Sequence, residues 1–123
     1  MIQTLKKLLP TDFQIYSGDD SLTLPMLSLG ATGVISVASH VDGKEIKEMI
    51  NAFLTGENEK ALQLHLKLHR LFKDLFCTTN PIPVKAAVNM MGIAAGPLRL
   101  PLIEATEAEK AKVRSCMEEL GVL

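Results

Sequence analysis

The sequence predicts an α/β fold in which two short parallel strands lie among helices and a purely helical segment follows. Two observations support this prediction. β-Favouring runs occur only near the start of the chain, and apolar residues at helical spacing occupy most of the remainder. With 123 residues, of which 47% are apolar, the chain has the length and composition of one compact domain and not of a disordered tail.

The first predicted element is a helix over residues 2–9, where apolar residues recur at helical spacing until Pro10 ends the pattern. The run Phe13–Tyr16 favours a strand, and the turn Ser17–Asp20 follows it. Because a carboxylate at a helix start accepts backbone N–H groups, both aspartates of that turn are expected to cap the next helix, Ser21–Leu29.

A second strand is predicted over Gly33–Ala38, after a helix end at Gly30. This run is apolar enough to be buried on both faces, which is typical of a parallel strand between helices. Gly43–Leu54 then carries apolar residues on one helical face, and Gly56 marks the end of that helix.

Three more helices are predicted after residue 56. The first, Glu57–Phe76, is long and amphipathic. Two prolines make Cys77–Pro83 irregular, and a helix resumes over Val84–Met91. Thr106 and Glu109 have the spacing of a capping box, which predicts the start of a last helix that ends at Leu120.

This order of elements is that of the end of an α/β barrel with a helical appendage. Two strands cannot close a barrel, and an isolated parallel pair leaves unpaired backbone edges and uncovered apolar faces. We therefore expect part of a larger assembly, with a barrel remnant over residues 1–55 and an all-helical C-terminal domain over residues 56–123.

Composition argues against several classes of function. The 13 basic and 14 acidic side chains give a formal net charge of -1, with no basic run suited to nucleic acid. No stretch approaches the roughly 20 apolar residues that cross a bilayer, and no signal-peptide core is recognisable. Cys77 and Cys116 lack the spacing of zinc ligands or of a disulfide framework. We expect a cytoplasmic protein without metal or cofactor that binds neither nucleic acid nor membrane.

Four motifs carry a resemblance to a known family: Tyr16–Asp20 (YSGDD), Gly30–Ser39 (GATGVISVAS), Asn80–Lys85 (NPIPVK) and Leu98–Leu102 (LRLPL). In this order and spacing they resemble the carboxy-terminal part of the dihydrodipicolinate synthase family, the pyruvate-dependent lyases of lysine biosynthesis. Sialic-acid lyases and other pyruvate aldolases share the fold, but the stretch Gly-Val-Ile-Ser-Val resembles the synthases more closely.

The resemblance implies a (β/α)8 TIM barrel with a helical C-terminal domain, usually assembled as a homotetramer. Residues 13–16 and 34–38 would be its last two strands, the seventh and eighth. In the family, pyruvate forms a Schiff base with a barrel lysine, and the enamine adds to aspartate semialdehyde. That lysine and the tyrosine and threonine of the proton relay precede the matched segment. We therefore expect the isolated chain to be inactive and to associate with the missing barrel portion or with itself.

The resemblance implies no catalytic side chain in this chain but three residues that contact substrate. Gly18 would line the pocket for pyruvate and semialdehyde, the backbone carbonyl of Ile35 would face bound pyruvate, and Asn80 would face the mouth of the active site. From the residues alone, Gly18 is equally a turn glycine, and Asn80 equally stabilises its own loop through an Asx turn.

Other candidates have weaker support. Lys85 could replace the missing amine only if burial lowered its pKa, and a position early in a helix usually stays hydrated. His65 and His69 share a helix face as zinc ligands do, but no third ligand is evident, so an exposed or subunit-facing position is favoured. A second hypothesis for the whole chain is a non-catalytic oligomerisation or interaction fragment.

Overall fold

The structure is a computed structural model that describes all 123 residues. It is mostly helical, and the elements follow the predicted order. No helix in it is both long enough and apolar enough to cross a membrane. The elements are α1 (Ile2–Leu8), β1 (Tyr16–Ser17), a 3₁₀ helix (Asp20–Leu22), α2 (Thr23–Ser28), β2 (Gly33–Val34), α3 (Ser39–Leu54), α4 (Asn58–Asp74), α5 (Ile82–Met90) and α6 (Glu107–Leu120).

The two strands pair in parallel, as predicted, with Tyr16 opposite Gly33 and Ser17 opposite Val34. Both are shorter than expected. The prediction that the second strand continues to residue 38 with both faces buried is wrong, because β2 stops at Val34 and Ile35 is 72% exposed. The backbone beyond this point turns to begin α3 and makes no further ladder.

The aspartates after β1 have different roles. Asp19 accepts the Ser21 backbone N–H at 2.8 Å and the Ser21 hydroxyl at 2.7 Å, so it caps the 3₁₀ helix as predicted. The same prediction is wrong for Asp20. Its carboxylate is buried and accepts the N–H groups of Val37 and Ala38, each at 3.1 Å, at the start of α3.

Helix α3 begins four residues before the predicted position, but its backbone is kinked at Asp42 (φ -137°, ψ 62°). The Asp42 carboxylate accepts the Glu45 N–H at 3.2 Å and so caps the longer part of the helix. The apolar periodicity from Gly43 onward therefore identified the part after the kink. Gly56 follows the helix with φ +84°, a conformation in which glycine is the least strained residue.

The ends of the later helices agree with the local signals in the sequence. Thr106 Oγ1 accepts the Glu109 N–H at 3.3 Å, and the Glu109 carboxylate accepts the Thr106 N–H at 2.7 Å, which confirms the capping box. The same backbone hydrogen bond lowers the pKa of Glu109. Gly121 ends α6 with φ +73°. Helix α5 starts two residues earlier than predicted, since Pro83 is tolerated in a first turn.

The core lies among α3, α4, α5 and α6, where thirteen buried residues form one apolar cluster. The strands lie at its edge: Val34 and Val37 pack against the cluster, and Ala38 belongs to it. The outer side of the strand region is consequently exposed, including Phe13 at 50% and Tyr16 at 45%. The buried cluster consists of Ala38, Val41, Ile46, Met49, Leu68, Leu71, Phe72, Leu75, Val84, Ala87, Val113, Cys116 and Met117.

Candidate functional site

Gly18 and Ile35 lie side by side at the carboxyl edge of the strand pair. Gly18 directly follows β1, and Ile35 directly follows β2. The Ile35 N–H donates to the Ser17 carbonyl at 2.8 Å, which joins the two exits from the strands. In α/β barrels this edge carries the chemistry. The structure therefore brings two of the three predicted substrate contacts together.

The backbone carbonyl of Ile35 accepts no hydrogen bond from any N–H or hydroxyl of the chain. The side chain beside it is 72% exposed, so this stretch of backbone lies on the surface of the edge. A carbonyl oxygen has two lone pairs, and an exposed edge offers them to a ligand, to water or to another protein segment.

Nothing in the packing or the backbone of this chain requires glycine at position 18. A Cβ added there would meet no atom within 4 Å, and the residue is not in the left-handed region of φ. The turn beyond it is held by side chains: the Ser17 hydroxyl accepts the Asp19 N–H at 3.1 Å and donates to the Asp19 carbonyl at 2.7 Å. The interpretation of Gly18 as a glycine needed only for the turn thus loses its support.

Asn80 lies apart from this edge, in the loop between α4 and α5. Its side chain is exposed and makes no hydrogen bond, and the Ile82 N–H that an Asx turn would use donates to the Thr79 carbonyl at 3.0 Å. No hydrogen bond joins Asn80 to the strand exits. The loop and the strand exits contact the same apolar cluster, the loop through Cys77 and the strand exits through Val34.

Asp20 is the residue of this site that sequence reasoning missed. It is 3% exposed, and its Oδ2 atom bridges the turn after β1 to the amides of Val37 and Ala38 after β2. Its position directly after Asp19 resembles an ordinary helix cap. No local pattern indicates that its partners lie 17 and 18 residues further along the chain.

Lys85 is not at the strand edge. It lies on α5, and its Nζ donates to the Pro97 carbonyl at 2.8 Å across a cavity of about 430 Å³. The cavity is formed by α5, α6 and the segment between them. Lys85 is half-buried, and the hydrogen bond to Pro97 holds its amine at this cavity, away from the edge where Gly18 and Ile35 lie.

The two histidines, expected on an exposed or subunit-facing side of the helix, differ in their exposure. His69 is exposed, whereas His65 is half-buried, with its ring centroid 6.0 Å from that of Phe72 and 6.3 Å from that of His69. Burial lowers the pKa of His65, and the neighbouring His69 lowers it further. Nowhere in the structure do three or more histidine, cysteine, aspartate or glutamate side chains gather closely enough to hold a metal ion.

The cysteines do not provide a nucleophile at this edge. Cys116 lies in the core, where burial raises the pKa of its thiol to about 11, so it stays protonated at neutral pH. Cys77 is half-buried in the α4–α5 loop, and both are unpaired. A reactive group for covalent chemistry at the strand edge would therefore have to be something other than these two cysteines.

Comparison with known families gives a match to the model of the Dihydrodipicolinate synthetase family over residues 1–120. The 4-hydroxy-tetrahydrodipicolinate synthase of Desulforamulus reducens is 54% identical over 122 residues, which are 99% of this chain and 41% of that protein. The synthase of Desulforudis audaxviator is 56% identical over 119 residues, 97% of this chain and 40% of that protein. The chain thus spans about two-fifths of the length of these relatives.

Solved structures agree with the sequence matches. The dihydrodipicolinate synthase of Cyanidioschyzon merolae, with lysine bound, superposes with a TM-score of 0.95 at 45% identity, covering 99% of this chain and 41% of that one. The dihydrodipicolinate synthase of Aquifex aeolicus superposes with a TM-score of 0.94 at 47% identity, covering 98% of this chain and 41% of that one. A monomeric dihydrodipicolinate synthase variant superposes with a TM-score of 0.94 at 42% identity, covering 99% of this chain and 42% of that one. These structural relatives are TIM-barrel enzymes.

Proposed function

This chain belongs to the dihydrodipicolinate synthetase family, and on that premise we propose that it is the carboxy-terminal part of a pyruvate-dependent lyase. The complete enzyme would condense pyruvate with aspartate semialdehyde in lysine biosynthesis. The observation that carries the proposal is the superposition on a solved dihydrodipicolinate synthase over 99% of the chain at 45% identity.

Within such an enzyme, residues 1–55 would supply the seventh and eighth barrel strands, β1 and β2, with their helices. Residues 56–123 would be the helical C-terminal domain. The strands support a barrel position for β1 and β2, because they lie at the edge of the core and leave backbone edges and apolar side chains exposed. Preceding strands of a barrel would cover those groups. The boundary at residue 55 rests on the resemblance alone, since α3 shares the apolar core with α4, α5 and α6.

This chain would shape the pocket, and the missing portion would supply the chemistry. Gly18 would let substrate approach the backbone closely, since its position is open and exposed. The unpaired carbonyl of Ile35 would face bound pyruvate from the neighbouring strand exit. Asn80, whose amide has no partner within the chain, would lie at the mouth. The lysine that forms the Schiff base would lie on the sixth strand, outside these residues.

A chimeric enzyme tests the proposal. The part of the Desulforamulus reducens synthase that precedes its matched segment would be joined to residues 1–123, and condensation of pyruvate with aspartate semialdehyde would be measured. We expect activity within about tenfold of the parent synthase, since the two segments are 54% identical. A correctly assembled chimera without condensation activity would contradict the proposal, and the parent enzyme is the control.

In the active chimera, Gly18→Val is expected to raise the KM for pyruvate roughly tenfold or more, because a branched side chain would enter the open space at the strand edge. The melting temperature should change little, since a Cβ at position 18 would meet no atom of this chain within 4 Å and φ lies outside the left-handed region. The matched control is Gly43→Ala, whose Cβ would lie 3.6 Å from the Ser39 Cβ, an ordinary contact away from the edge. Unchanged kinetics in Gly18→Val would remove Gly18 from the pocket.

A non-catalytic interaction fragment is the second candidate, and the exposed apolar surface favours it. Only 27 of the 123 residues are buried, while fifteen large hydrophobic side chains are exposed, among them Ile35, Leu54 and Leu66. Exposed apolar side chains that lie together are typical of interaction surfaces.

We therefore expect the isolated chain to self-associate at micromolar concentration, with a sedimentation coefficient that rises with protein concentration. The apolar groups around the open strand edges, Phe13 and Tyr16 among them, supply the driving force. A concentration-independent monomer in sedimentation velocity would contradict the prediction.

A further inference from the structure

We propose that Asp20 is a positioning residue for the substrate pocket, which it serves by holding the backbone that carries the Ile35 carbonyl against the turn that carries Gly18. This inference rests on the proposed function. Asp20 makes no contact of its own with substrate in this account. It acts through the conformation of residues 35–38.

The contacts of Asp20 connect the two strand exits directly. Its side chain is 3% exposed, and its Oδ2 accepts the N–H groups of Val37 and Ala38 at 3.1 Å each. Charge-assisted hydrogen bonds of a buried carboxylate are about twice as strong as neutral ones. Ser36 Oγ accepts the Ser39 N–H at 2.8 Å at the start of α3, but no side chain other than Asp20 accepts the N–H groups of Val37 and Ala38. The carboxylate is therefore the only side-chain acceptor for these two amides.

The Ile35 carbonyl lies between two backbone N–H groups that are held by hydrogen bonds. On one side the Ile35 N–H is held by the Ser17 carbonyl at 2.8 Å, and on the other the Val37 N–H is held by Asp20. The carbonyl itself has no hydrogen bond within the chain. Its direction thus depends on the two flanking anchors. Loss of the Asp20 anchor would let the backbone rotate after Ile35 while the strand pairing before it remained.

Only one oxygen of the Asp20 carboxylate accepts these hydrogen bonds. Oδ1 is buried and has no hydrogen-bond donor, while Oδ2 accepts both amides. An asparagine at this position can offer its amide oxygen to the same two N–H groups as a neutral and weaker acceptor. Alanine offers none. A positioning role therefore predicts a graded series in which asparagine restores most of what alanine loses.

The test uses the chimeric enzyme with Asp20→Ala, Asp20→Asn and the matched control Asp42→Ala. Asp42 is also a buried carboxylate in this region, but it caps α3 through Glu45 and does not bridge the strand exits. We expect Asp20→Ala to raise the KM for pyruvate about tenfold or more with a smaller fall in kcat, and Asp20→Asn to stay within about threefold of the parent. Asp42→Ala should lower the melting temperature and leave KM unchanged.

Amide hydrogen exchange of the same variants gives a readout that needs no activity. Exchange of the Val37 and Ala38 N–H groups should accelerate at least about tenfold in Asp20→Ala, whereas the Ile35 N–H should stay protected. If Asp20→Ala does not fold, Asp20→Asn carries the comparison, with a smaller acceleration at the same two amides. The inference would be overturned if folded Asp20→Ala had an unchanged KM for pyruvate. It would also be overturned if Asp42→Ala changed this KM as much as Asp20→Ala does.

The two proposals fail in different ways. An inactive chimera with parent Asp20 would count against the proposed lyase function, and amide exchange would then decide whether Asp20 holds residues 35–38. An active chimera whose Asp20 variants behave like the Asp42 control would keep the lyase function and reject the positioning role.

Discussion

The intact mass of this chain is expected to stay unchanged after incubation with pyruvate and reduction with borohydride. Imine formation requires a neutral amine, which proteins obtain by burying a lysine or placing it near other cations. Three lysines of this chain are in the opposite situation. Hydrogen bonds to glutamates raise the pKa of Lys60, Lys67 and Lys110, and the Lys85 amine donates to the Pro97 carbonyl.

The matched positive control is the chimera with the Desulforamulus reducens segment, which is expected to gain the mass of one reduced pyruvate adduct. Peptide mapping should place that adduct on the segment from the relative and none on residues 1–123. A stoichiometric adduct on any lysine of this chain, Lys85 included, would mean that the matched segment contains its own Schiff-base site. The proposal that the Schiff-base lysine lies outside residues 1–123 would then be wrong.

Leu71→Ala is expected to lower the free energy of unfolding by about 3 kcal/mol, within the range of roughly 2–5 kcal/mol for a fully buried leucine. Leu71 lies on α4 with no exposed surface, in the apolar cluster shared by α3, α5 and α6. Truncation removes the buried side chain and leaves a cavity that close-packed neighbours fill only in part. Urea unfolding followed by circular dichroism measures the change.

The control is Leu66→Ala on the same helix, where the side chain is 58% exposed and a change within about 0.5 kcal/mol is expected. Both variants must be compared at one protein concentration, because self-association makes apparent stability concentration-dependent. Equal losses for the two leucines would mean that α4 buries a different face in solution, and the position of the core would have to be revised.

The candidate site was predictable in part. Parallel pairing of two strands places both strand exits on one edge, so the proximity of Gly18 and Ile35 follows from the pattern of elements. Asn80 was identified only through the family motif, and the structure shows no bond between it and that edge. The half-buried position of His65 also escaped prediction, because spacing on a helix does not reveal what packs against it.

By itself the sequence determined the family, the order of the elements and most of the helix ends. Those features depend on residues a few positions apart, as in the Thr106–Glu109 capping box or the glycine after α3. Only the tertiary structure decided where β2 stops and what Asp20 does. The reason is physical: the Asp20 carboxylate accepts hydrogen bonds from the N–H groups of Val37 and Ala38, which lie 17 and 18 residues further along the chain, and these N–H groups therefore do not extend the strand ladder.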